Sequence, residues 1–275
     1  MSNTKEVSEW FGMTVMIDSS KAYEILTSIK PKSVVYLFSA GKDSALALLA
    51  TRDVVKDFCK NFCKVYIVYV YITGNTHPDN AFVASYTMEW HRKHYGFEPI
   101  YIASPRLFTE MMCKYGFDVP KGRWCWSEFK DKPIREFCNR IVKPILCIDG
   151  VSPADSRTRE VYVTSEIQRI ESRGLHWSWH PLFSLNIDAN QKLNILKQYQ
   201  EFRLVAELYE RYGDSMNCTI CPYKSRVKLM KMSASVLADV YRELVNLCLH
   251  SERWRNRFAL LQTNNLEKYI KCGLV

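Results

Sequence analysis

Val34-Val35-Tyr36-Leu37-Phe38 is a short, unbroken run of β-branched and aromatic residues, and Ala45-Leu46-Ala47-Leu48-Leu49-Ala50 is a run of strong helix formers. Only Ser39-Ala40-Gly41-Lys42-Asp43-Ser44 stands between them. The first run reads as a strand buried on both faces, the second as a helix. A strand that turns within a few small residues into a helix leaves the helix's first N–H groups unpaired and a partial positive charge at the turn. A phosphate is the usual occupant of such a place. Ser39, Gly41 and Ser44 let the backbone approach closely, and Lys42 adds a formal charge. The spacing is too short for a GxxxxGK[ST] loop. A plain strand–turn–helix connection without a ligand has the same local pattern.

The chain to the end of its first half repeats the alternation. Residues 1–32 read as an N-terminal extension with a helix near Ser20–Ile29, capped by Ser19 or Ser20 and stopped by Pro31. Strands are expected at Lys64–Ile72, Pro99–Ala103 and Pro144–Val151, and helices to about Lys60, over Asn80–Tyr95, around Leu107–Lys114 and over about Pro133–Val142. Strands alternating with helices imply right-handed crossovers and a parallel sheet flanked by helices. Ligands of such sheets bind beyond the C-terminal strand ends. Trp177–Leu182 is a short extended piece, and from about Asp188 the chain reads as helical, with amphipathic stretches at 233–250 and 252–262. The expected organisation is the extension, a nucleotide-binding α/β domain over 33–165 and a mainly helical C-terminal region over 166–275.

Composition narrows the class. Of 275 residues 47% are hydrophobic, enough for a sizeable core, and the net charge of +9 permits an anionic partner without requiring one. Met1–Glu6 carries no apolar leader and no run approaches the length of a membrane span, so a cytoplasmic protein is expected. Ten cysteines in such a chain do not read as a disulfide framework. Cys59, Cys63, Cys138 and Cys147 fall in strand or helix patterns and read as packing residues, although Cys59 and Cys63, four apart, have ligand spacing. Cys218-x-x-Cys221 before Pro222 has the form of half a four-ligand metal site, or else of a redox or buried thiol pair. His77 reads as a solvated loop residue that can reach a ligand, and His180 as structural. Trp177 and Trp179 alternate on a strand and fit core packing as well as base stacking, and Arg253–Arg257 reads as a solvated helix face in preference to a phosphate contact.

Several separated segments resemble one family in the correct order. Ser39–Ser44 resembles the SGGxDS loop of the PP-loop ATP pyrophosphatases, with Ala40 at a usual glycine. Thr73-Gly74-Asn75 with His77-Pro78-Asp79, then Arg123-Trp124-Cys125 with Lys130 and Pro133, resemble segments of the phosphoadenosine phosphosulfate (PAPS) reductases and their relatives. So do Gly150…Asp155-Ser156-Arg157…Arg159, Pro181-Leu182 and Leu208-Tyr209…Gly213…Cys218…Cys221-Pro222. Ser152 stands where an Arg is common and Asp155 where a Glu is common.

The resemblance covers residues 33–224 and implies an adenine-nucleotide α-hydrolase fold with a five-stranded parallel sheet. It implies ATP and Mg²⁺ at Ser39, Ala40, Gly41, Lys42, Asp43, Ser44, Thr73, Gly74, Gly150, Asp155 and Ser156, with Lys42, Asp43, Arg157 and Arg159 in catalytic roles. It also implies an iron–sulfur cluster, or zinc, held by Cys125, Cys218 and Cys221. The fourth ligand is Cys113 or Cys248, or the position is open. The intact Lys42-Asp43-Ser44 favours cleavage of ATP to AMP and pyrophosphate, adenylating a substrate for sulfur transfer. A sulfur donor and an acceptor are then needed, the acceptor being tRNA, DNA or a small molecule; a homodimer is a candidate state. The alternative from the same family is a sulfonucleotide reductase with Cys272 as catalytic thiol. An alternative of another class is a non-catalytic nucleotide-binding, metal-dependent interaction protein.

Overall fold

The computed structural model describes residues 17–115, 124–152, 163–170, 176–185, 187–219 and 221. Its elements are α1 (Ser19–Ile29), β1 (Ser33–Phe38), α2 (Lys42–Cys59), β2 (Lys64–Tyr71), α3 (Pro78–Tyr95), β3 (Glu98–Ala103) and α4 (Phe108–Tyr115). A helical turn α5 (Trp124–Trp126), a π-helical stretch (Ser127–Asp131) and α6 (Lys132–Cys138) follow. Then come β4 (Ile145–Ile148), β5 (Ile167–Arg169), β6 (His176–Trp179), α7 (Ala189–Lys197) and α8 (Arg203–Tyr212).

The six strands form one sheet in the order β3-β2-β1-β4-β6-β5. All neighbours are parallel except β5 and β6, which are antiparallel. Five of the strands are parallel; the sixth, β5, is a three-residue edge strand whose Ile-Gln-Arg sequence carries no strand pattern. Both β5 and β6 lie beyond residue 165 and join the same sheet.

Alternation along the strands divides the core between the two faces. Val34, Tyr36, Phe38, Leu146 and Ile148 face α1, α2 and α3 and merge with Leu26, Leu46, Leu48 and Phe202 into the main core. Val35, Tyr66, Val68, Ile145 and Cys147 form the second core, with Cys138 of α6 and the partly buried Ile134 and Phe137. Two internal ties hold the helices of the main face. Arg52 is ion-paired with Glu201, the two side chains 8% and 4% exposed. The guanidinium also lies 5.0–5.7 Å from the rings of Trp90, Tyr95, Tyr199 and Phe202. Beside it, burial first and the Arg52 charge second push His91 down to about 3.

Three local expectations are corrected. The cap of α1 is Asp18, which accepts from the N–H groups of Ser20 and Lys21, and the helix ends at Lys30 in the left-handed region, φ 50. The side chain of His77 is the N-cap of α3, accepting from Asp79 N–H at 3.1 Å and lying against Tyr212, so it is a capping residue and not a free loop histidine. Cys59, the last residue of α2, is disulfide-bonded to Cys63 and so is neither a simple packing residue nor a ligand.

Candidate functional site

Strand order locates the site before any side chain is considered. From β1 the chain winds outward through β2 to β3, then returns to the other side of β1 with β4. The direction of winding reverses between β1 and β4, and the crevice outside their C-terminal ends is where an open α/β sheet accommodates a ligand. The loop after β1 is Ser39–Gly41, and the loop after β4 begins Asp149–Ser152. The two touch: a Cβ built on Gly150 would lie 2.3 Å from the Asp43 carbonyl carbon and 2.5 Å from Ser44 N. Gly150 is needed for this close approach.

The first loop is fastened by its own hydroxyls. Ser44 Oγ accepts from Ser39 N–H at 3.2 Å, lies 3.1 Å from Ser39 Oγ and donates to the Gly41 carbonyl at 3.0 Å. Ala40 has φ 52 and is fully buried. Its left-handed backbone explains the preference for glycine there in the family it resembles. Gly41 is the N-cap of α2, with no side chain capping the helix. The Lys42 N–H instead donates to the hydroxyl of Tyr209 in α8 at 3.2 Å. Burial, then the nearby Asp214 charge, pushes the Tyr209 hydroxyl well above its ordinary value, so it stays neutral.

Asp43 accepts from two ammonium groups, Lys42 Nζ at 2.6 Å on one oxygen and Lys192 Nζ at 2.7 Å on the other. Burial raises this carboxyl, but the two lysines outweigh it and hold it below the usual carboxylate range. Each oxygen accepts from one ammonium and keeps a second lone pair, so a Mg²⁺ ion bound at Asp43 would share the carboxylate with the two lysines. Lys192 was not foreseen. It lies on the buried side of α7 with Ile195 and Leu196, three and four residues on. A lysine on the apolar stripe of a short amphipathic helix is the one sequence signal that marks it.

Asn80 joins the loop to the cysteine segment. It is fully buried; its amide donates to the Ser39 carbonyl at 3.1 Å and the Ser215 carbonyl at 2.6 Å, and its oxygen accepts from Tyr69 OH at 2.7 Å. The Thr73–Asp79 loop is sewn to the same segment. His77 N–H donates to the Met216 carbonyl, Thr76 Oγ1 to the Asn217 carbonyl, and Thr219 N–H to the Asn75 carbonyl at 2.7 Å. Thr73 Oγ1 is directed to the Ser104 carbonyl, and Gly74 takes φ 80. Both shape the loop. Lys130 Nζ donates to Asn217 Oδ1 at 2.8 Å and so ties the segment after Cys125 to the residue before Cys218.

Asp149 forms a pair with His180, which reads from sequence as a structural residue. His180 Nδ1 lies 2.7 Å from Asp149 Oδ1, which also accepts from Val151 N–H at 3.0 Å. His180 is 4% exposed, and its Nε2 has no hydrogen-bond partner among the described residues. It follows β6 directly, so the pair sits at the C-terminal ends of β4 and β6, next along the sheet from the loop crevice.

Cys125, Cys218 and Cys221 are half-buried thiols. Among the described residues Cys138, Cys147 and His176 have ligand atoms that all lie within 4.8 Å of one another. Cys138 and Cys147, read from sequence as packing residues, thus belong to a set that can bind a metal. Arg123, Asp155, Ser156, Arg157, Arg159, Cys248 and Cys272 lie outside the described residues, as does the side chain of Cys113. Among the described residues no helix is long and apolar enough to cross a membrane.

No family model matches the chain. It is similar to two uncharacterized proteins of Methanocaldococcus jannaschii. One is 25% identical over 254 residues, covering 88% of this chain and 45% of the relative; the other is 22% identical over 239 residues, covering 82% and 49%. The chain therefore spans about half the length of these relatives. Among solved structures it is similar to phosphoadenylyl-sulfate (PAPS) reductase from Candida auris in its phosphate complex, with a TM-score of 0.42 and 12% identity over 67% of this chain and 80% of that one. A likeness of that strength does not place the chain in that enzyme's fold family.

Proposed function

We infer that the chain is a PP-loop ATP pyrophosphatase that adenylates a substrate for sulfur transfer. The observation that carries this reading is the coincidence of the Ser39–Ser44 loop with the β1/β4 reversal and the paired ammonium groups of Lys42 and Lys192. The pyrophosphate part of ATP lies against the N-terminus of α2, where Ser39, Gly41 and Ser44 present small, close backbone. Lys42 and Lys192, held together by Asp43, neutralise the charge that grows on the departing pyrophosphate. Such a ligand competes with Tyr209 for the Lys42 N–H. A substrate oxygen attacks the α-phosphorus, the bond to the bridging oxygen breaks, and pyrophosphate leaves. Asp149 and His180 form a carboxylate–imidazole pair one strand away that braces the start of the loop after β4. Arg157 and Arg159 are proposed, on resemblance alone, to contact the phosphates.

A thiolate donor set suits an iron–sulfur cluster. Cys125, Cys218 and Cys221 would hold it, and they lie on segments that Lys130 and Asn217 tie together. The cluster would supply sulfide for displacement of AMP from the adenylated substrate. Turnover of ATP labelled on the α-phosphate by anaerobically purified protein tests the reading: AMP and pyrophosphate are expected. ADP and phosphate as products would overturn it. So would release of sulfite from adenylyl sulfate or its 3′-phosphate, in favour of the reductase.

A further inference from the structure

Cys138 ends α6, Cys147 is the third residue of β4, and His176 opens β6. Register explains how three positions far apart in sequence meet. His176 pairs with Ile145, which lies two residues before Cys147 on the same side of β4. Helix α6 covers that face, and its last residue brings the second thiol. The three are 2%, 1% and 2% exposed. Their ligand atoms lie within 4.8 Å of one another. Tetrahedral zinc, with bonds of about 2.3 Å to sulfur and about 2.0 Å to nitrogen, needs ligand atoms roughly 3.5–3.8 Å apart. A contraction of at most about 1.3 Å, within reach of small side-chain rotations, closes the trio on an ion.

We propose that Cys138, Cys147 and His176 form a structural zinc site between α6, β4 and β6, separate from the nucleotide crevice. Donor chemistry selects the metal. Two thiolates and an imidazole are too soft for Mg²⁺ or Ca²⁺. Burial selects charge: Zn²⁺ neutralises two thiolates, whereas Cu⁺ leaves a net negative charge in an apolar face. Binding releases the two thiol protons. A fourth ligand, solvent included, completes the tetrahedron. None of its three residues takes part in the proposed ATP chemistry, so it stands or falls separately.

The full chain, stripped with chelator and titrated with ZnCl₂, is expected to bind one equivalent beyond any taken up by Cys125, Cys218 and Cys221, to hold it through dialysis and to gain several degrees in thermal midpoint. Co²⁺ in its place should give thiolate charge-transfer absorption in the near ultraviolet. Zinc X-ray absorption should show both sulfur and histidine nitrogen, which a centre built from Cys125, Cys218 and Cys221 cannot. His176→Gln and Cys138→Ser should each weaken binding at least tenfold, while Cys125→Ser with Cys218→Ser leaves it unchanged. Failure to bind at micromolar Zn²⁺, or binding that the Cys125/Cys218 pair of changes abolishes, would overturn the proposal. Should His176→Gln not fold, histidine scattering in the unaltered protein decides the matter alone.

Discussion

Gly150→Ala is the most direct perturbation of the crevice. The new methyl would stand 2.3 Å from the Asp43 carbonyl carbon, 2.4 Å from its oxygen and 2.5 Å from Ser44 N. These are backbone atoms in the first turn of α2, so no side chain can rotate away. Ordinary carbon–carbon contact begins near 3.5 Å, and one chain must retreat by about 1 Å. Overpacking of this kind costs roughly 1–3 kcal/mol when a core can adjust. Here it falls on a helix start already fastened by Ser39, Ser44 and Tyr209, so a value at the upper end, about 3 kcal/mol, is expected. For a chain of this size that is roughly 6–12 °C in thermal midpoint. Gly41→Ala is the matched control. Its Cβ meets only the Ser39 hydroxyl at 3.1 Å among close neighbours, and its φ is −93°. It should cost under about 1 kcal/mol, the scale of an N-cap change. Thermal denaturation compares stabilities, and titration calorimetry with pyrophosphate compares the site; Gly150→Ala should also weaken pyrophosphate at least tenfold. Equal midpoints for Gly150→Ala and the unaltered protein would refute the close approach of the two loops.

Lys192→Met keeps the side chain's bulk and removes its charge; pyrophosphate affinity should fall about tenfold, or about 1.4 kcal/mol, and an unchanged dissociation constant by calorimetry would remove Lys192 from the site. Glu201→Gln leaves the buried Arg52 guanidinium without its counter-ion, and denaturant titration should show a loss of about 3–5 kcal/mol. His91 is depressed to about 3 in the folded protein against about 6.5 in the unfolded chain. The unfolded state therefore binds the extra proton first, and this contribution is whole above pH 6.5 and lost as pH falls toward 3. At pH 5 the loss is about 2 kcal/mol; His91→Gln should flatten the fall in denaturant midpoint between pH 6.5 and 4.

The elements that position the crevice were readable because each has a local cause. The run 34–38 can only be a buried strand, and Ala45–Ala50 can only be its helix, so the turn between them had to lie at a strand end. That Lys42 and Asp43 lie in this turn was legible for the same reason. Lys192 was not, because its partner is 149 residues away and a buried lysine looks like an error of pattern until a carboxylate is placed beside it. The Asp149–His180 pair was hidden because it depends on β4 and β6 being neighbours, which no periodicity reveals. Edge strand β5 has three residues and no alternation. The Cys138–Cys147–His176 group was missed because each member, taken singly, fits a packing role.

Asn80 has a consequence that strand order alone would not suggest. One planar amide holds the carbonyls of Ser39 and Ser215 and is itself held by Tyr69. The Ser39–Ser44 loop and the stretch leading to Cys218 are therefore fastened to the same side chain. Neither carbonyl can leave that amide without losing a buried hydrogen bond, so the Ser39–Ser44 loop and the cysteine segment are spaced by the width of one side chain.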